Sequence, residues 1–94
     1  MRHLLVSSGD EALVERLRDV LPPDAVLFSA RGVDDTLERL ARSARVDAVV
    51  TDDPEVVAAI REEVPGTLPV VLVRADATAR ELLPLLDEAL PVRD

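Results

Sequence analysis

An α/β sandwich on a parallel sheet is the fold class this sequence predicts, and two observations carry it. Four short apolar runs recur: Leu4-Leu5-Val6, Ala25-Val26-Leu27-Phe28, Ala48-Val49-Val50 and Val70-Val71-Leu72-Val73. They are continuous rather than alternating, the pattern of strands buried on both faces. Segments of helical spacing lie between them. Strands begin near residues 3, 25, 46 and 69, a βα period of about 22 residues. The right-handed crossover rule turns four such units into one parallel sheet with helices on both sides, a three-layer αβα sandwich. No leucine-rich-repeat consensus accompanies the period.

Each helix has its own face and boundaries. In the first, Leu13, Val14, Leu17, Val20 and Leu21 share one side, with Glu15, Arg16, Arg18 and Asp19 opposite. Ser8-Gly9-Asp10-Glu11 reads as its capping box and Pro22-Pro23 as its end. The second places Val33, Leu37, Leu40, Ala41 and Ala44 on one face. The third carries Val56, Val57, Ile60 and Val64, with Asp53 as N-cap, Pro54 in the first turn and Pro65-Gly66 as the stop. The fourth runs from about Thr78 to Leu90, with Thr78 and Glu81 at capping spacing. Pro84 predicts a kink there or a start delayed to about residue 83.

The chain has 94 residues, enough for a single domain over 1–94. It has no lysine, so its 11 positive charges are all arginine, against 19 acidic residues, and the net charge is −8. With Phe28 as the single aromatic, there is neither a basic groove nor a stacking platform, which argues against direct nucleic-acid contact. Absence of cysteine and a lone His3 exclude the usual zinc sites, disulfides and thiol catalysis. No run approaches the length of a membrane span and no signal peptide is evident, so a cytoplasmic, non-membrane protein is expected. His3 has no catalytic partner at suitable spacing and reads as a partly buried structural residue. Neither a Ser-His-Asp set nor paired catalytic carboxylates nor a Gly-rich phosphate loop is present, so the chain is not expected to be an enzyme or to carry a cofactor.

In such sheets ligand chemistry gathers beyond the carboxyl ends of the strands. Four segments fall there: Ser7-Ser8-Gly9-Asp10, Ser29-Ala30-Arg31-Gly32, Thr51-Asp52-Asp53 and Arg74-Ala75-Asp76. Asp47-Ala48-Val49-Val50-Thr51-Asp52 and Pro69-Val70-Val71-Leu72-Val73-Arg74-Ala75 resemble the third and fourth strands of response-regulator receiver domains, the flavodoxin-like phosphoacceptor modules. The resemblance covers about the first 80 residues and implies strand order 2-1-3-4 in a truncated receiver-like fold. It places Asp52 at the phosphoacceptor position.

Departures from that pattern bear on mechanism. Receivers hold a divalent ion with an acidic pair after the first strand, where this chain has Ser7-Ser8. Their phosphoryl-contacting Thr/Ser is Arg74 here, and their lysine has no counterpart unless Arg93 stands near its place. Asp10 and Asp52 are the only weak metal candidates, too few oxygens for a hard cation. Asp10 reads more simply as a first-turn helix acid, and no metal is expected. Ser7, Ser8 and Gly9 are candidates for anion binding, because a strand meets a helix N-terminus there, and Arg74, with Arg31, is another as a replacement for the missing cation. Arg74 or Arg31 beside Asp52 would imitate a neutralised carboxylate.

The preferred expectation is a degenerate pseudo-receiver that acts by protein contact in prokaryotic signalling or transcription control. A phosphoacceptor using Asp52, and a small anion- or ligand-binding module using the Ser7–Asp10 loop, are the alternatives. A fifth strand is reduced to Leu90-Pro91-Val92, which would leave the edge at Val70–Val73 uncovered. The expected contact surface is Val70, Val71, Leu72 and Val73 with Leu82, Leu83, Leu85, Leu86 and Leu90. What should cover it is the chain's own tail, a second copy of the domain or sequence beyond this segment, so a self-associating module, a protein partner or an output domain following in a longer protein is expected.

Overall fold

The computed structural model describes residues 2–21, 23–42, 46–64 and 68–89. Four βα units follow one another: β1 (Arg2–Ser7), α1 (Glu11–Val20), β2 (Ala25–Ala30), α2 (Gly32–Arg42), β3 (Ala48–Thr51), α3 (Pro54–Glu63), β4 (Val70–Leu72) and α4 (Ala79–Ala89). All strand pairs are parallel, in the order β2-β1-β3-β4. The fold is the flavodoxin-like α/β sandwich that the sequence predicts.

Continuous apolar strands arise because alternate residues feed two cores. Leu4, Val6, Ala48, Val50 and Val73 join Leu13 and Leu17 of α1 and Leu82 and Leu86 of α4 on one face. Leu5 and Val49 join Ala30 and, from α3, Val56 and Ile60 on the other. Accordingly α1 packs with α4, and α2 with α3. Full burial of each Val, Leu or Ile side chain contributes about 1.5–3 kcal/mol before entropy is counted.

Helix starts show one correction. The N-cap of α1 is Asp10, whose carboxylate accepts the Ala12 N–H at 2.9 Å, so Ser8-Gly9-Asp10-Glu11 is not its capping box. Asp53 caps α3 as expected, accepting the Glu55 N–H at 2.9 Å ahead of Pro54. Thr78 and Glu81 form a reciprocal cap: the Glu81 N–H donates to Thr78 Oγ1, whose hydroxyl donates back to Glu81 Oε1, both at 3.3 Å. With that cap in place α4 starts at Ala79 and runs through Pro84, so its start is not delayed. Gly32, at φ 78°, opens α2 in the left-handed region that glycine reaches without a Cβ penalty.

Val33, Leu37 and Leu40 pack inward from α2 as predicted, whereas Ala41 is exposed and the fully buried residue is Thr36. Pro22, Ala44, Pro65-Gly66 and Leu90-Pro91-Val92-Arg93 lie outside the described residues. Among the described residues, no helix is long and apolar enough to cross a membrane.

Candidate functional site

Strand order reverses between β1 and β3, so the crevice at their carboxyl ends is where this fold gathers ligand chemistry. Hydroxyl groups fill it. Ser8 Oγ donates to Asp52 Oδ2 at 3.0 Å and accepts the Asp10 N–H at 2.9 Å, while its own N–H donates to the Ala30 carbonyl at 3.1 Å. The hydrogen-bonding capacity of Ser8 is thus spent inside the fold. This bond ties the β1–α1 turn to the β3–α3 turn.

One layer deeper, Ser7, Thr36 and Thr51 are all buried. Thr36 Oγ1 donates to the Gly32 carbonyl at 2.6 Å, back-bonding one turn along α2. A hydroxyl has one hydrogen, so in the 2.6 Å contact between Ser7 Oγ and Thr36 Oγ1 it is Ser7 that donates. Thr51 Oγ1 donates to the Ser7 carbonyl at 2.8 Å and accepts the Asp53 N–H at 3.1 Å. The series crosses β1, β3 and α2 with every hydroxyl satisfied.

The sequence-predicted site residues are therefore only partly assembled. Ser7 and Ser8 sit where expected, but their donors are committed to Thr36 and Asp52, which leaves none for an anion. Gly9, which follows them, is exposed, and a Cβ added there would meet nothing within 4 Å. Asp10 and Asp53 point their carboxylates back at their own helices, so neither joins Asp52. Among the described residues no group of three or more His, Asp or Glu is placed to hold a metal ion.

The arginines are paired elsewhere. Arg74 reaches Glu81 at 3.2 Å and Asp76 at 3.6 Å, and Arg31 reaches Glu11 at 3.0 Å. All three pairs are exposed, and among the described residues no guanidinium lies within ion-pair distance of Asp52. Beside Ser8 a cleft of about 490 Å³ is lined by Arg18, Arg31 and Arg39 interleaved with Glu11, Glu15 and Asp35. Its rim carries both signs of charge.

Arg16 is a residue that the sequence reading missed. On the pattern it belongs to the solvent side of α1, yet its Nη1 donates to the Ala75 carbonyl at 3.0 Å and the Ala77 carbonyl at 2.7 Å. It clamps the β4–α4 loop to α1 across about 60 residues of chain. No local motif marks such a contact. His3 sits at the other end of the sheet, partly buried, with its ring stacked on Phe28 at 5.8 Å and its backbone N–H donating to Asp47 Oδ2 at 2.7 Å.

The expected contact surface needs correction. Leu82 and Leu86 are core residues at 1% and 3% exposure, Val73 is buried with them, and Leu85 packs against the same cluster. The cause is that α4 turns onto the α1 face and spends its apolar stripe there. Val70 and Val71 are half-buried, so what remains in solvent is Leu72 at 52% on β4 and Leu83 at 46% on α4. Comparison of the chain with protein-family models, with curated proteins and with solved structures gives no match.

Proposed function

We propose that this chain is a receiver-like regulatory module, acting by protein contact without turnover in a prokaryotic cytoplasm. The position at which receivers accept a phosphoryl group is converted here into a fixed hydrogen bond. The observation that carries this reading is the Ser8–Asp52 bond: a neutral hydroxyl occupies the place where receivers hold an acid, and its hydrogen is given to the carboxylate that would be phosphorylated. Acyl phosphate formation on Asp52 needs a divalent ion to gather charge and a cation to hold the product, and hard cations need several convergent oxygens. Asp10 and Asp53 are spent on caps, and Arg74 on Glu81 and Asp76. The module's partner in this reading is another protein or an output domain of a longer chain, and nucleic acid is not contacted directly.

The test is titration of the ¹⁵N-labelled protein with Mg²⁺ and beryllofluoride. The amides of Ser8, Thr51 and Asp52 should stay in place through millimolar concentrations. A saturable shift at these amides that vanishes in Asp52→Asn would overturn the reading in favour of a working phosphoacceptor.

A further inference from the structure

We infer that β4 is the seat of a two-fold contact between copies of this chain, in which two β4 strands pair antiparallel about Val71. This stands independently of the receiver-like reading, because it rests on the sheet edge alone.

The direction of the free backbone groups comes first. The Pro69 carbonyl accepts the Val49 N–H at 2.9 Å and the Val73 N–H donates to the Thr51 carbonyl at 2.8 Å. Parallel ladders use every second residue of a strand, so residues 69, 71 and 73 face β3. Val70 and Leu72 then point their N–H and C=O groups away from the sheet, and no described strand lies beyond them. Bare edges of this kind recruit strands.

Topology argues against a strand that this chain delivers through α4. Moves across the sheet from β2 to β3 and from β3 to β4 go in one direction, and their helices, α2 and α3, share a face. A next parallel strand beside β4 would continue that direction, and right-handedness would put α4 on the same face. Instead α4 packs with α1. A parallel strand reached through α4 could flank β4 only by a left-handed crossover, against a rule obeyed in about 98% of cases.

The edge is self-complementary. A two-fold axis perpendicular to the sheet at Val71 sets Val70 opposite the partner's Leu72, and Leu72 opposite the partner's Val70. Those are the residues with outward backbone groups, so each pair exchanges both its N–H···O bonds. Directly opposed side chains share a face. Val70 packs on the α2–α3 side, and Leu72, two residues on, lies on that side too. The half-exposed Leu72 would thereby be covered by the partner's Val70. At the opposite edge, β2 exposes Ser29 and no comparable apolar side chain.

Charge and area set the strength. Residues 68–73 carry no charge in a chain of net −8, so copies meet along a neutral strip while their remaining charge repels. A three-residue strand with one half-exposed leucine, Leu72, offers far less than the roughly 1,200 Å² of a stable interface. The dimer is accordingly weak, with Kd on the order of 100 μM or more, and it tightens with salt as the Debye length falls from about 30 Å at 0.01 M to about 8 Å at 0.15 M.

Sedimentation equilibrium up to millimolar protein, at low and moderate NaCl, tests this together with concentration-dependent amide exchange. A monomer–dimer equilibrium should strengthen several-fold with salt, and the Val70 and Leu72 amides should gain protection with concentration while that of Ser29 does not. Leu72→Lys, at an exposed position, should raise Kd at least tenfold. Leu72→Pro should do the same, because it deletes an outward N–H and no bond to β3; circular dichroism checks that both variants fold. A monomer throughout overturns the inference, as does a dimer that folded Leu72→Lys leaves unchanged or in which protection appears elsewhere.

Discussion

Thr36→Val is the most informative single substitution, because it removes a buried hydroxyl without removing volume. Thr36 is fully buried, and its Oγ1 both donates to the Gly32 carbonyl and accepts from Ser7, each at 2.6 Å. Valine fills the same space, so no cavity contributes. Losing the hydrogen bonds costs about 1 kcal/mol net, and the Ser7 hydroxyl, itself only 1% exposed, is left a buried donor without an acceptor at about 1–3 kcal/mol. The sum is about 2–4 kcal/mol, or a fall in Tm of about 10–30 °C for a domain of this size. Ser7→Ala alone should cost only about 1 kcal/mol, because Thr36 keeps its bond to Gly32. In the double variant both partners are apolar and nothing is orphaned, so the total should fall about 1–3 kcal/mol short of the summed single effects. Urea unfolding followed by far-UV circular dichroism suits a chain without tryptophan or tyrosine. Additive single effects, or a Thr36→Val cost below about 0.5 kcal/mol, would refute the assigned direction of the Ser7–Thr36 bond.

Two further substitutions probe the frame around the crevice. Gly32→Ala should destabilise by about 1–2 kcal/mol in the same assay, since a Cβ at that position meets nothing within 4 Å and the penalty is purely the backbone's φ of 78°; Gly32→Asn should cost measurably less. Arg16→Met should release the Ala75 and Ala77 carbonyls, lowering stability by about 1–2 kcal/mol and raising exchange of the amides in 74–78, whereas replacing the exposed Arg42, in its i,i+4 pair with Glu38, should change stability by less than about 0.5 kcal/mol.

Features set by periodicity and local chemistry could be read from the chain; those set by distant partners could not. The four apolar runs, the strand order implied by the family likeness and the Asp53-Pro54 helix start all appear in the structure. The α1 cap illustrates the limit of local pattern. Ser8 and Asp10 are both good caps; the helix starts at Glu11 with Asp10 as its cap, while Ser8 Oγ accepts the Asp10 N–H and gives its hydrogen to Asp52, 44 residues away. Leu82 and Leu86 were misplaced on a surface for a topological reason. The apolar stripe of α4 does not say which face of the sheet it covers; that is set by α1, a distant part of the chain, against which it packs. Thr36 and Arg16 read as ordinary polar helix residues because their partners, Ser7 and the Ala75 and Ala77 carbonyls, come from other parts of the chain.

The two faces of the sheet are unequally fastened. On one side α1 and α4 each bury two leucines completely or nearly so. On the other, α2 buries only Thr36, and otherwise rests on side chains that stay partly wet. The molecule therefore has a built-in order of loosening: α2 is the one of the four described helices with no fully buried apolar side chain, and it is the natural low-energy opening unit of the fold. Because Thr36 carries the hydroxyl series into the crevice, such an opening would also unfasten Ser7 beneath Ser8 and Asp52. Fluctuation of one helix and integrity of the candidate site are then the same event.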